Sequence, residues 1–149
     1  MPGYFTSSWQ ILGSVLGAYM IYNILSSLLI VFLAVAIFDL PLTNFALLLS
    51  LILSMSFFVT GLTMLLFRIF KNETLIQMVG ILGIMILVFI PLFAESMGPF
   101  SFIQYLSPYY WVFESIDTGQ ITPNVLVILL YGFLLFTAGS FKVERLVQV

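Results

Sequence analysis

Long stretches without a charged residue constrain the fold of this chain more than any other feature. No Asp, Glu, Lys or Arg precedes Asp39, and none occurs between Asp39 and Arg68. Charged residues make up only 7% of the 149 residues, whereas a soluble domain has about 25% because its surface faces water. Lipid must therefore be the solvent for most of the surface. The sequence predicts an all-α, polytopic membrane protein.

Four apolar segments are long enough to cross a bilayer, which requires about 20 residues per helix. The predicted helices cover residues 14–38, 42–67, 75–93 and 124–141. A charge and a helix breaker at Asp39 and Pro41 separate the first two helices. Thr122 and Pro123 should provide the cap and the first position of the last helix. All four helices belong to one transmembrane domain that comprises residues 1–149.

The basic residues indicate how the helices are oriented. Arg68 and Lys71 follow the second predicted helix, and Lys142 and Arg145 follow the fourth. Two crossings separate the two pairs, so all four charges lie on one face, which the positive-inside rule makes cytoplasmic. Both termini are then cytoplasmic, residues 95–122 are external, and the protein is expected in the cytoplasmic membrane.

Composition excludes several kinds of function. The chain has no Cys and no His, which excludes a disulfide framework, a Cys/His zinc site and a thiol nucleophile. Four basic residues are too few to neutralise the phosphates of a nucleic acid. Neither lysine lies in a GxxxxGK[ST] loop, so ATP would have to be bound by a partner. No carboxylate lies inside a predicted span, and we expect no catalytic residue, metal site or cofactor.

Small and hydroxyl-bearing residues recur along the predicted helices at spacings that place them on common faces. Small residues let membrane helices approach closely, and hydroxyl groups can bond across an interface or within their own turn. A polar stripe can instead line a transport path. Of these two interpretations, helix packing is preferred. The residues concerned are Asn23, Ser26, Ser27, Ser50, Ser54, Ser56, Thr60, Gly61, Thr63, Gly80, Gly83, Gly132 and Gly139.

The predicted external segment, residues 95–122, is too long for a tight turn and too apolar for a solvated loop. The Gly-Pro pair in "SMGPF" should break the third helix, and "SFIQYL" can form about one and a half helical turns. Ser107 and Pro108 should restart a short amphipathic helix, and Gly119 should stop it. The segment is therefore predicted to be broken and partly helical.

Aromatic and acidic side chains suggest where this segment lies. Tyr and Trp favour the interface, because the ring prefers the apolar side and the polar tip needs water. Glu114 and Asp117 are three residues apart on one helical face. They can form a solvated face, which is the preferred interpretation, or bind a cation. The residues expected at the outer headgroup layer are Tyr105, Tyr109, Tyr110 and Trp111.

The cytoplasmic loop between the second and third helices carries its own pattern. Asn72 can cap the third helix, and Glu73 is favourable near the positive end of the helix dipole. With Arg68 and Lys71, these residues form the only predicted internal cytoplasmic loop. We expect a partner contact there.

The stretch "LLFRIFKNETLIQMVGILGIMILVFIPLF", followed by the broken segment and "IQYLSPYYWVFESIDTG", resembles the C-terminal part of an ABC-2 type transporter permease. In that family a basic cytoplasmic turn with a "KN"-like element precedes the penultimate helix. Short external helices with an SP-aromatic element then precede the last helix. The matching positions here are Lys71-Asn72, Ser107-Pro108 and Tyr109-Tyr110.

The resemblance implies a membrane-spanning subunit of an exporter, with no ATPase site of its own. A separate ATP-binding cassette subunit would drive it, and a second membrane subunit would complete a homo- or heterodimer. The family has six helices, so the first two and most of the coupling element after them are expected to be missing. The alternative is a non-transporting scaffold, immunity or assembly subunit. The residues of the implied external gate are Ser107, Pro108, Tyr109, Tyr110, Trp111, Glu114 and Asp117.

Overall fold

The computed structural model describes residues 8–38 and 44–141, and within these ranges the chain is helical, with no β-strand. The all-α prediction is therefore confirmed for the described residues. The turn predicted at residues 39–41, the predicted helix start at Leu42, and the basic residues Lys142 and Arg145 lie outside them. The elements are α1 (Ser8–Phe38), α2 (Phe45–Ile69), α3 (Glu73–Leu92), a 3₁₀ segment (Ala94–Leu106), α4 (Pro108–Thr118) and α5 (Asn124–Ser140).

Three helices are long and apolar enough to cross a membrane. They contain the stretches Gly13–Ile37, Phe45–Ile69 and Glu73–Leu92. Helix α5 is apolar as well but has 17 residues, fewer than the roughly 20 that a full span requires. The structure thus agrees with a multi-pass membrane protein, and the fourth predicted helix forms at a length just below a full span.

Helix α2 is the centre of the bundle, and it contacts every other helix. In its most apolar stretch 44% of the residues are buried, against 0% in α1 and 6% in α3. The large apolar side chains of α1 and α3 are exposed along most of both helices. Water-soluble proteins do not expose apolar surface on this scale. These two helices therefore present the surface expected to face lipid.

Helices α2 and α5 form the tightest pair, around a buried cluster made by Leu47, Leu51, Phe58, Val125 and Ile128. The glycines of both helices let the backbones approach. A Cβ placed on Gly61 would lie 2.7 Å from the carbonyl oxygen of Gly132, and one on Gly139 would lie 2.8 Å from Cγ of Met64. The packing interpretation is confirmed at these positions.

Four of the five hydroxyl groups predicted to form stripes on α2 bond within their own helix. Ser54 donates to the carbonyl of Leu51 at 3.0 Å, and Thr60 donates to that of Ser56 at 2.7 Å, although both side chains are buried. Ser50 and Thr63 make bonds of the same kind. Bonds to the preceding turn let hydroxyl groups stay in an apolar interior without a partner on another helix.

A link of only three residues, 70–72, joins α2 to α3. The side chain of Asn72 accepts a hydrogen bond from the backbone N–H of Thr74 at 2.9 Å, so the predicted cap is confirmed. Helix α3 begins at Glu73, two residues before the predicted start, and α2 extends to Ile69, two residues past the predicted end. Arg68 therefore belongs to the last turn of α2 rather than to the loop.

Candidate functional site: the helical cap and the three-helix cleft

The 3₁₀ segment and α4 together, Ala94–Thr118, form a helical cap at the end of the bundle where α3 ends and α5 begins. Gly98 kinks it with φ 54° and ψ −122°. The predicted Gly-Pro break therefore lies within the 3₁₀ segment and does not end α3, which stops earlier, at Leu92. Helix α4 starts at Pro108 and ends against Gly119, whose φ is 69°. The predicted Ser-Pro restart and glycine stop are both confirmed.

Helix α5 begins at Asn124, as its predicted range has it, but the prediction for its cap was wrong by one position. Pro123 is the N-cap rather than the first helical residue, and no side chain caps the helix. The backbone N–H of Val125 instead bonds to the carbonyl of Ile121 at 3.0 Å. A backbone carbonyl in the preceding turn thus takes the role that the Thr122 hydroxyl was expected to play.

Ser107 connects the helical cap to α3. Its side chain is fully buried, and its hydroxyl donates to the carbonyl of Leu87 at 2.5 Å while accepting from the N–H of Tyr109 at 3.2 Å. In an intact helix the Leu87 carbonyl would bond to the N–H of residue 91. That residue is Pro91, which has no N–H. The hydroxyl of Ser107 therefore supplies the missing donor.

A second junction holds the helical cap to α5. The carbonyl of Tyr105 accepts a hydrogen bond from the indole N–H of Trp111 at 3.1 Å and another from the hydroxyl of Tyr131 at 2.9 Å. The ring of Tyr110 packs edge-on against the rings of Tyr105, at 4.8 Å, and Trp111, at 5.2 Å. Three of the four predicted interfacial aromatic residues, Tyr105, Tyr110 and Trp111, thus form one packed cluster that joins the 3₁₀ segment, α4 and α5, whereas Tyr109 lines a cavity described below.

The tyrosines of α4 stay protonated at physiological pH. Burial raises the pKa of Tyr109 above its ordinary value. Burial also raises the pKa of Tyr110, and the neighbouring negative charge of Glu114 and the hydroxyl of Tyr105 raise it further. Glu114 is half-buried and Asp117 is exposed. Among the described residues no His, Cys, Asp or Glu joins the two in a group of three that could hold a metal ion.

Arg68 is engaged within the chain. Its guanidinium donates to the carbonyl of Ala138 at 3.1 Å and to that of Phe141, and it lies 5.5 Å from the centre of the Phe141 ring. The last carbonyls of a helix have no helical donor and carry partial negative charge. Arg68 therefore ties the end of α2 to the end of α5, whereas Lys71 and Glu73 are exposed.

A cleft of about 330 Å³ lies between α1, α2 and α3, on the Arg68 side of the bundle. Most of its lining is apolar. Its polar groups come mainly from α1 and α3, with Thr63 from α2. On α3, Glu73, Gln77 and Gly80 follow one another at helical spacing on a single face. The side chains that define its chemistry are Tyr19, Tyr22, Asn23, Phe67, Glu73 and Gln77.

A second cavity of about 260 Å³ adjoins the cleft, and Asn23 and Val59 line both. It continues along Ser27 and Ser56 to Tyr109 on the helical cap. Polar side chains therefore follow one route from Glu73, beside the α2–α3 link, to the cap. Asn23, Ser27, Ser56 and Thr63 line one or both of these openings, whereas Ser50, Ser54 and Thr60 line neither.

Sequence reasoning did not single out Tyr19, Tyr22, Gln77 or Pro91. The spacing of Glu73, Gln77 and Gly80 on one helical face was a usable indication of the cleft. So was the proline inside the third helix, because it predicts a free carbonyl four residues earlier that needs a donor.

The chain matches no protein-family model, no curated protein and no solved structure at a significant level. The resemblance to ABC-2 type permeases therefore rests on the sequence elements given above.

Proposed function

We propose that this chain is a membrane-spanning permease subunit of an ABC-type exporter, or the C-terminal part of one. The order of sequence elements suggests the family. The observation that carries the proposal is that the helical cap, fixed to α3 through Ser107 and to α5 through Tyr131, lies at one end of the polar route and contributes Tyr109 to it. An element in that position can close a transport path.

The proposed topology has four crossings, with the helical cap outside and both termini in the cytoplasm. Support comes from α5, which packs parallel to α2, with Val125 in the cluster of Leu47 and Gly139 against Met64, as two intervening crossings require. At about 1.5 Å per residue its 17 residues span roughly 26 Å, close to the ~30 Å hydrocarbon core of a bilayer. Arg68 and Lys71 then mark the cytoplasmic face of the inner membrane.

In the proposed mechanism a separate ATP-binding cassette subunit docks at the α2–α3 link, where Lys71 is exposed. Closure of that subunit on ATP moves α3 relative to α2. Because Ser107 joins α3 to α4, the movement reaches the helical cap and changes access from outside, an instance of alternating access. A second membrane subunit, identical or related, supplies the other half of the transporter.

Purification of the tagged chain from its native membranes in mild detergent tests the proposal. We expect a co-purifying protein that contains a GxxxxGK[ST] loop, and ATPase activity in the purified complex that is lost when that lysine is replaced. A stable complex without any nucleotide-binding protein would contradict the exporter assignment. That result would instead identify a scaffold, immunity or assembly subunit.

Two observations are equally consistent with the scaffold alternative. The hydroxyl groups along α2 bond within their own helix, and Arg68 is bonded to α5. Both features serve a static bundle as well as a moving one. Comparing hydrogen exchange with and without ATP separates the two, since only a transporter should change protection in the helical cap.

A further inference from the structure

We propose that the cleft between α1, α2 and α3 binds an organic cation with an apolar body. The lining combines one carboxylate, three aromatic rings and a largely aliphatic wall. This combination matches a positive charge carried on an apolar framework, for which the carboxylate provides the counter-charge and the rings provide cation–π contact.

The charge of the cleft is negative and unbalanced within the described residues. Glu73 is the one Asp, Glu, Lys or Arg side chain that lines it. No salt bridge to Glu73 occurs within residues 8–38 and 44–141. Arg68 is held by the carbonyls of α5, and Lys71 is exposed and does not line the cleft. An anionic ligand would therefore meet a carboxylate with no compensating cation in the lining.

The aromatic lining comes from two helices. Tyr19 and Tyr22 lie on α1 and Phe67 lies at the end of α2. Tyr22 is 70% exposed and Tyr19 is 45% exposed, so both rings have surface free for a ligand. A cation placed over such a ring gains a favourable cation–π contact, which is stronger where water is excluded.

The cleft has the size of a small-molecule site. Its volume of about 330 Å³ falls at the lower end of the roughly 300–1,000 Å³ that ligand pockets occupy. Gly80 keeps part of this space open, because a Cβ there would touch only Leu66, at an ordinary 3.4 Å. A longer side chain at this position would extend into the cleft that Gly80 lines.

Asn23 lies where the cleft adjoins the second cavity. Its side chain is half-buried near the middle of α1, lines both cavities and makes no hydrogen bond within the described residues. Polar groups at membrane depth usually serve a function. Binding in the cleft does not require transport, but the role of the bound cation as cargo rests on the proposed function.

Binding of tetraphenylphosphonium to the purified chain tests the site. The chain is placed in phosphatidylcholine nanodiscs, binding is measured by equilibrium dialysis, and empty nanodiscs provide the correction for partitioning into lipid. Tetraphenylborate is the matched anion, with the same shape and the opposite charge. We expect saturable binding of the cation and none of the anion.

Two pairs of variants locate the site. Glu73→Gln should weaken binding about tenfold, whereas Glu73→Asp should retain most of it because the charge remains. Gly80→Leu should abolish binding by filling the cleft. Gly83→Leu, one turn further along α3 and outside the lining, should leave binding unchanged. Far-UV circular dichroism and thermal unfolding check that each variant is folded.

Equal binding of the anion, or equal effects of Gly80→Leu and Gly83→Leu, would overturn the site. The measurement uses neither nucleotide nor an ATPase, so its outcome is independent of the exporter assignment. If the chain binds the cation but recruits no ATPase, the binding site is supported and the exporter assignment is contradicted. If the chain recruits an ATPase but does not bind the cation, the exporter assignment is supported and the binding site is contradicted.

Discussion

The hydroxyl of Ser107 donates a 2.5 Å hydrogen bond to the carbonyl of Leu87, which Pro91 has left without its helical donor. Twenty residues of sequence separate the two groups. Membrane helices tolerate proline where a neighbouring group satisfies the freed carbonyl, and here that neighbour is the N-cap of α4. The break in α3 and the start of α4 are therefore one structural unit.

A double-mutant cycle tests this unit. Ser107→Ala should lower the free energy of unfolding by about 1–3 kcal/mol, because a buried carbonyl loses its donor and α4 loses its cap. In a Pro91→Ala background, residue 91 regains an N–H for Leu87, and the cost of Ser107→Ala should fall by about 1 kcal/mol. Unfolding in SDS and dodecyl maltoside mixed micelles, followed by circular dichroism, measures both.

Ser96→Ala is the control for this cycle. Its hydroxyl is exposed and bonds only within its own turn, to the carbonyl of Phe93, so its removal should change stability little. An identical cost of Ser107→Ala in both backgrounds would contradict the link to Pro91.

The close approach of α2 and α5 predicts a sharp contrast between two glycines. Gly61→Ala should destabilise the protein by about 1–3 kcal/mol through overpacking, because its Cβ would meet the Gly132 backbone carbonyl, which cannot move aside alone. Gly83→Ala has nothing within 4 Å and should be neutral or slightly stabilising, since alanine favours a helix interior. Equal losses for both would contradict the packing described for α2 and α5.

The two basic residues near the α2–α3 link should behave differently. Arg68→Gln removes the charge at the end of α5 and should lower the free energy of unfolding by about 1–2 kcal/mol. Lys71→Gln should not affect stability, because the side chain is exposed. If the proposed docking at the link is correct, Lys71→Gln instead weakens recovery of the ATPase partner. Loss of stability in both variants would refute this division of roles.

The proposed orientation can be tested with cysteine labelling, which needs no background substitutions since the chain has no Cys. Cysteine at position 71 should react with a membrane-impermeant maleimide only after the membrane is opened. Cysteine in place of the exposed Asp117 should react in intact cells. Labelling of position 71 from outside would overturn the topology.

Features set by neighbouring residues along the chain were predictable. Apolar runs predicted α2, α3 and α5 to within three residues at each end, although α1 begins at Ser8, before the predicted Ser14. Asn72 predicted a cap, and Ser107 with Pro108 predicted the start of α4. The cap of α5 was mispredicted because the turn before Pro123 supplies a backbone acceptor that no propensity reveals.

Features that depend on how helices meet were not predictable. The cleft requires α1 to lie beside α2 with α3 on the other side, and hydropathy does not specify which helices are neighbours. The hydrogen bond between Ser107 and Leu87 likewise requires the helical cap to fold back on α3. Which hydroxyl groups of α2 line a cavity was not predictable either: Ser56 lines the second cavity, whereas Thr60 is buried and donates to the carbonyl of Ser56.

The three-residue link between Ile69 and Glu73 has a mechanical consequence. A chain of three residues reaches only about 10 Å, so α2 and α3 cannot separate at that end. At the opposite end they are joined through the much longer helical cap and α5. Any tilt of α3 must therefore pivot at the link, and a tilt of about 10° along a helix of roughly 30 Å moves its far end by about 5 Å. The largest displacement of α3 would therefore occur at its far end, where Pro91 lies and Ser107 joins the helix to the helical cap.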